Sequence, residues 1–311
     1  MQDLIVLAGP TAVGKSSLSI RLAKAVGGAI ISADSMQVYR KMNIGTAKIT
    51  KEEMEDIPHY LIDSLDPAED FNIVYFQEKA REALDQIYAS HKIPILVGGT
   101  GFYIHSLVYD TEFDESEEMP QYREKLRDLI SIKGAEYVHG LLKDVDPAAA
   151  SRIHPNDHKR MIRALEYHEC TGGRISDHNA QNMAKKSAYN LCYFVLTDNR
   201  QKIYDRINAR VDKMIEDGLV DEVRSLMAEG LTKDNVSMHG IGYKEIIDHL
   251  SGNCTFDEAV YRIKRESRHF AKRQLTWFSR EKDVIWIDLD KDDDVLDTMI
   301  NELKKKGIVN G

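Results

Sequence analysis

The stretch LIVLAGPTAVGKSSLSIRLA, residues 4–23, decides the fold. Leu4 to Ala8 is a continuous apolar run of strand length that stops at Gly9, and Ser16 to Val26 then carries helical spacing and ends before a Gly-Gly pair. Between them GPTAVGKS fits G-x-x-x-x-G-K-[ST] in the strand-to-helix context that the pattern needs. The loop of Gly9, Pro10, Thr11, Ala12, Val13 and Gly14 is expected to cradle phosphate with its backbone. Gly14 permits the close approach, Lys15 supplies a point charge, and the Ser16 hydroxyl reaches a magnesium ion. ATPases, kinases and other transferases share such a loop, so a nucleotide and the pyrophosphate of another donor both remain open.

Working outward, Ala29 to Ala33 reads as a second strand that delivers Asp34, and Ile93 to Val97 as a third that delivers GGTG at Gly98 to Gly101. Leu191 to Thr197 and Val284 to Leu289 complete the pattern, with helices expected over residues 200–215, 219–228 and 256–278. Strands alternating with helices imply an α/β fold, a P-loop nucleoside-triphosphate-hydrolase-like open parallel sheet. In such sheets ligands gather outside the carboxyl ends of the strands, where Gly9, Asp34 and Gly98 all fall. The interval between the third and fourth strands is too long for one crossover. It holds an acidic loop and helical segments near 122–132 and 136–143, so residues 112–145 are expected to form a small all-helical insertion. Residues 1–111 and 146–311 then form the core, with the helix from Asp157 returning to it.

The 311 residues are 42% hydrophobic, enough for a sizeable core, and no window approaches a membrane span or an export signal. A cytoplasmic monomer with no membrane or obligate protein partner is expected. Cys170, Cys192 and Cys254 are too few and too scattered for a disulfide framework or a zinc site. The net charge of −9 counts against a nucleic-acid partner until its distribution is read. DTEFDESEE, from Asp110, carries six acids and no base, whereas Tyr261 to Arg280 carries seven Lys or Arg against the single acid Glu266. Such a stripe can steer a polyanion locally whatever the average.

Asp34, at a strand end facing the cradle, suits a carboxylate that orients magnesium or accepts a proton; helix capping is the plainer use of it. Asp288 in VIWID is the comparable candidate for a hydrolytic magnesium ligand, but it adjoins the acidic run DLDKDDD and reads as a solvated surface residue. Gly98, Gly99 and Gly101 would let a substrate lie against backbone, with Thr100 at close range. His139, His154 and His158 share no ligand spacing and read as structural or solvent-facing.

GPTAVGKS, ADSMQVYR, NIGTAK, GGTGFYI, RIHPNDHKRMIRALE, HGIGYKE and FAKRQLTWF occur in the order and spacing of the bacterial tRNA dimethylallyltransferases, which the chain resembles from residue 4 to about 280. The resemblance implies transfer of a dimethylallyl group from its diphosphate to N6 of adenosine-37 in tRNAs that read codons beginning with U. The cradle would then hold the donor's pyrophosphate, with Mg2+ at Ser16. Asp34 would act as the base, Lys15, Thr100 and Arg206 would serve the reaction, and Arg210 would close over pyrophosphate. The tRNA anticodon stem-loop is the implied partner. Ser35, Met36, Gln37 and Val38 would hold the target base, joined by Gly101, by Arg123 in the insertion, and by Lys159, Arg160, Met161, Ile162 and Arg163. His239, Gly240, Gly242, Tyr243 and Lys244 form a further expected contact, with Tyr243 placed to stack on a base. The alternative is a small-molecule or nucleoside kinase, which would share the cradle, the sheet and a helical lid.

Overall fold

The computed structural model describes residues 1–112, 119–292 and 294–310, with all side chains except that of Met183. Most of the acidic stretch singled out above, residues 113–118, lies outside the described residues. The chain divides into two compact units, one of residues 1–108 and 187–311 and the other of Tyr109–Lys186.

In the first unit β1 (Asp3–Ala8) leads into α1 (Lys15–Val26) and β2 (Gly28–Ser32). A two-residue β3 (His59–Tyr60), α2 (Ile73–Ala89), β4 (Ile93–Gly98) and α3 (Gly101–Val108) follow. The second unit contributes α4 (Pro120–Lys133), α5 (Ala135–Val145), the short α6 (Pro147–Ala150), α7 (His158–Thr171) and α8 (Ile175–Ala184). The chain re-enters the first unit as β5 (Asn190–Thr197), α9 (Arg200–Glu216), α10 (Leu219–Ala228), a 3-10 turn at Val236–His239 and α11 (Tyr243–Leu250). It ends with α12 (Phe256–Phe278), β6 (Val284–Asp288) and α13 (Val295–Lys305).

Among the described residues the strands form one six-stranded sheet in the order β3-β2-β4-β1-β5-β6, every pair parallel. The central strand shows why. Ile5 and Leu7 bury against residues of α1 and α13, while Leu4, Val6 and Ala8 point the other way and are as fully buried. A strand covered on both faces reads as an unbroken apolar run, which is how LIVLA reads. Glycines end the first crossover: Gly27 adopts φ +64° to cap α1, and a Cβ on Gly28 would lie 2.8 Å from the Ile95 side chain.

The second unit is larger than the expected insertion, because α7 belongs to it. Met161, Ile162, Ala164 and Leu165 of α7 pack with Leu126, Val138 and Leu142 of α4 and α5 into one core. Asp146, 1% exposed, accepts Ala149 N–H and Ser176 N–H at 2.9 Å each and so ties α6 to α8. His139 is held by the carbonyls of Ala150 and Ile153 at 3.0 and 2.9 Å, a structural role.

Phe194, in the middle of β5, is fully buried in the sheet core. Its replacement by alanine is expected to cost about 3–5 kcal/mol of stability, read as a lowered urea midpoint; an unchanged midpoint would count against this packing.

A candidate phosphate-binding and transfer site

The loop after β1 is shaped by backbone conformations that exclude most side chains. Gly14, the residue before α1, has φ +103°, and a Cβ on Gly9 (φ +147°) would meet Leu196 O at 2.8 Å. Val13 is buried in the sheet core, and Ala12 packs with Ile203 and Ile207 of α9 and Ala271 of α12. These anchors fix the loop against three elements. The Lys15 ammonium donates to the carbonyls of Gly9 and Pro10 at 2.9 and 2.8 Å. Burial lowers its pKa to about 7, with Asp34 opposing that shift and Arg210 adding to it. Ser16 is exposed at the helix start.

Asp34 follows β2 after one residue, Ala33. Its Oδ1 accepts the backbone N–H of Met36 at 2.9 Å and of Gln37 at 3.3 Å, and no other group among the described residues donates to it. No helix starts here, so Asp34 closes a turn and is not the helix cap weighed from sequence, and its second oxygen is left to act. Thr100 is brought to the same place by its N–H, which donates to Ala33 O at 3.3 Å. The glycines around Thr100 are also required by the protein's own packing. A Cβ on Gly98 would lie 2.3 Å from Ala33 O, on Gly99 2.1 Å from Gln274 Nε2, and on Gly101 2.1 Å from the Trp277 ring. Close packing of protein on protein requires them, and Gly101 is buried beneath Trp277.

Arg206 and Arg210 lie one turn apart on α9. Arg206 pairs at 2.5 Å with Asp198, whose side chain is almost wholly buried at the end of β5, and Arg210 reaches Thr11 Oγ1 at 3.4 Å. Asp198 was not singled out from sequence. Its position one residue beyond a strand at the ligand edge was the available signal.

Residues 35–38 divide by burial. Ser35, Met36 and Gln37 are partly exposed, whereas Val38 is fully buried and can offer only backbone. The Gln37 amide donates to Thr46 O and Ala47 O, both at 3.3 Å. That loop is itself held by Glu222 of α10, which accepts the N–H groups of Asn43 and Ile44 at 2.8 Å and of Gly45 at 3.1 Å. Tyr243 completes the arrangement and is not placed to stack on a base: it is fully buried, donates its hydroxyl to Glu222 at 2.7 Å, and lies where a Cβ on Gly45 would go. Gly240 and Gly242 are buried beside it, His239 is exposed with Nε2 2.8 Å from Lys233 O, and Lys244 is partly exposed.

The basic stripe of α12 is partly neutralised by acids of its own helix and of others. Arg262 pairs with Glu258 and Lys264 with Asp212, while Lys272, Arg273 and Arg280 are exposed with no ion pair among the described residues.

In the second unit Arg123, Arg127, His158, Lys159 and Arg163 line a groove of about 580 Å³. Glu166, fully buried beneath it, accepts Arg123 Nε at 2.6 Å, Arg163 at 3.1 Å and Met119 N–H at 3.1 Å. Burial opposes charge on this carboxyl, and those hydrogen bonds outweigh it, holding its pKa below the usual range. Met161, expected at the RNA, faces the unit's own core; Ile162 packs on that core and also lines the groove, and Lys159 and Arg160 are exposed.

The parallel sheet, the cradle at its carboxyl edge, and the carboxylate and arginines around it define a phosphate-binding-loop α/β protein equipped for group transfer. A family model described as IPP transferase matches residues 37–281, and the chain belongs to that family. It is 52% identical, over 99% of its length and all of the relative's, to a tRNA dimethylallyltransferase of Lachnoclostridium phytofermentans. Among solved structures it is similar to a tRNA isopentenylpyrophosphate transferase of Bacillus halodurans, with TM-score 0.75 and 42% identity over 99% of both chains. One from Staphylococcus epidermidis gives 0.71 and 41% over the same shares. A eukaryotic dimethylallyltransferase acting on tRNA gives 0.82 at 29% identity, over 99% of this chain and 80% of its own. These three neighbours are prenyltransferases, not the kinases of the alternative reading. No helix among the described residues is long and apolar enough to cross a membrane.

Because Lys15 titrates near pH 7 and bound phosphate favours its cation, binding above that pH must take up a proton. Pyrophosphate affinity is expected to fall as pH rises from 7 to 9, with proton uptake in calorimetry. In Lys15→Met the lysine-linked uptake should disappear; uptake that persists undiminished would exclude Lys15 as its source.

Proposed function

We propose that this chain transfers the dimethylallyl group of dimethylallyl diphosphate to N6 of adenosine-37 in the anticodon loop of tRNAs that read codons beginning with U. The observation that carries this reading is the joining of Asp34 and Thr100 through Ala33 O at a cradle where Lys15, Asp34 and Arg210 interact electrostatically. A cradle of this kind holds the donor's diphosphate, and a single carboxylate beside it serves an acceptor that must lose one proton.

Adenine N6 is a weak nucleophile because its lone pair is delocalised into the ring. In the reading proposed here the C1–O bond of the donor breaks and its electron pair leaves with diphosphate, while the N6 lone pair forms the new bond to C1. The N6 proton passes to Asp34. Lys15, Arg206 and Arg210 stabilise the charge that grows on the departing diphosphate, and the cradle amides do the same by direction rather than by charge. Thr100 lies between the two reactants, where its hydroxyl holds the donor oxygen or the amine.

The chain fits a magnesium ion in one respect. Ser16 Oγ has no hydrogen-bond partner among the described residues, and magnesium needs few protein ligands where phosphates supply the rest. Ser16 would hold it, and the ion would add charge stabilisation to the leaving group.

For the acceptor, the exposed cations of α12 and the basic groove of the second unit suit RNA phosphates. Ser35, Met36 and Gln37 suit the extracted base, whose removal from a loop costs a few kcal/mol. In the second unit Arg123, Lys159, Arg160 and Arg163 suit RNA contact; in the first unit His239 and Lys244 do, with Val38, Gly101, Gly240, Gly242 and Tyr243 supporting that unit's own surface. We place the enzyme in the cytoplasm, acting as a monomer.

Unmodified tRNA bearing A36-A37-A38, magnesium and dimethylallyl diphosphate should yield adenosine-37 heavier by one C5H8 unit without ATP, read by nucleoside mass analysis. No gain, together with ATP turnover on a small acceptor, would sink the proposal. Asp34→Ala should lower kcat by roughly a hundredfold or more with tRNA affinity within a few-fold, and normal turnover would remove Asp34 as the base.

A further inference from the structure

Gln274 lies on the buried side of α12 and is only 5% exposed, yet its amide ends between two loops that are far apart in sequence. Its Oε1 accepts the backbone N–H of Thr11, in the phosphate cradle, at 2.8 Å. Its Nε2 donates to Gly99 O, in the turn that carries Thr100, at 2.9 Å. The two partners fix which end of the amide is which, since an N–H can only donate and a carbonyl can only accept.

The surroundings leave the amide little freedom. A Cβ on Gly99 would sit 2.1 Å from Gln274 Nε2, so any side chain there would displace the amide from its bridge. Three residues earlier on the same helix Ala271 packs under Ala12 of the cradle, and three residues later Trp277 packs over Gly101. This helix face is therefore fitted to the cradle at one end and to the glycine turn at the other.

We propose that Gln274 is a positioning residue that sets the cradle and the Thr100 turn at the separation and orientation transfer requires. It touches neither reactant. Thr11 N–H and Gly99 O are main-chain groups of the two segments between which donor and acceptor would meet, and one rigid amide spans them. This inference rests on the reading of the cradle as the donor's diphosphate site.

Gln274→Met keeps length and apolar bulk and removes both hydrogen bonds. On the full-length enzyme it is expected to lower kcat/KM for dimethylallyl diphosphate about ten-fold or more, while the Kd for tRNA stays within about two-fold. Pyrophosphate affinity, measured separately, should weaken several-fold even if the wild-type protein transfers nothing. That result would keep the positioning role while the proposed reaction failed.

Gln274→Glu supplies a readout that loss of stability alone would not move. Ionised, the carboxylate still accepts from Thr11 but faces Gly99 O with like partial charge. Protonated, it can donate to Gly99 O and restore the bridge. The ratio of variant to wild-type kcat/KM should climb as pH falls from 8 to 6, and taking the ratio removes the titration of nearby Lys15. A Gln274→Met enzyme within about two-fold of wild type in both donor turnover and pyrophosphate affinity, or a Gln274→Glu ratio flat in pH, overturns the proposal.

Discussion

Ala8 pairs in register with Gly98 on one side and with Val195 on the other, and everything chemical in the first unit hangs on that alignment. Parallel strands end on the same edge, so three connections far apart in sequence open side by side: the cradle after β1, the glycine turn after β4 and Asp198 after β5. β2 joins the same edge through its pairing of Ser32 with Val97, which delivers Asp34. A slip of one residue in any pairing would turn alternate side chains to the other face and misplace the loops together.

What the sheet brings together, charge then organises. Burial holds both Lys15 and Arg210 below their usual pKa range against the pull of the Asp34 charge, and Arg206 is pinned by a buried carboxylate. The site is thus rich in cations that repel one another. Lys15 meets that by donating to carbonyls of its own loop, an arrangement that a phosphate group can replace with a stronger partner.

The cradle was legible in the sequence because its signal is local: a strand, a glycine loop, a lysine and a helix within about two dozen residues. The main strands and α12 were legible for the same reason, through period and capping residues. The two-residue β3 carries too little pattern to announce itself, and α7 looked like a core helix because its apolar stripe does not say which partner covers it. The glycines of GGTG were visible but their packing partners were not, since Ala33 and Gln274 approach from 65 and 175 positions away. Tyr243 and Glu222 teach the same lesson: an aromatic residue in a motif reads as a ligand platform until a carboxylate and a glycine loop close over it. The transfer reaction itself was read from resemblance, because phosphate loops alone do not name what is transferred.

Glu166 has a thermodynamic meaning for the basic groove above it. Arg123 and Arg163 share one buried anion, so their guanidinium planes are already ordered and part of their charge is already answered within the fold. A polyanion laid in this groove sheds fewer of its own condensed counterions than the four Arg and Lys side chains would suggest. It also pays less to immobilise the two arginines. The groove thereby exchanges some of its long-range attraction for shape, favouring a strand whose phosphates match a preset fork over one that is merely charged.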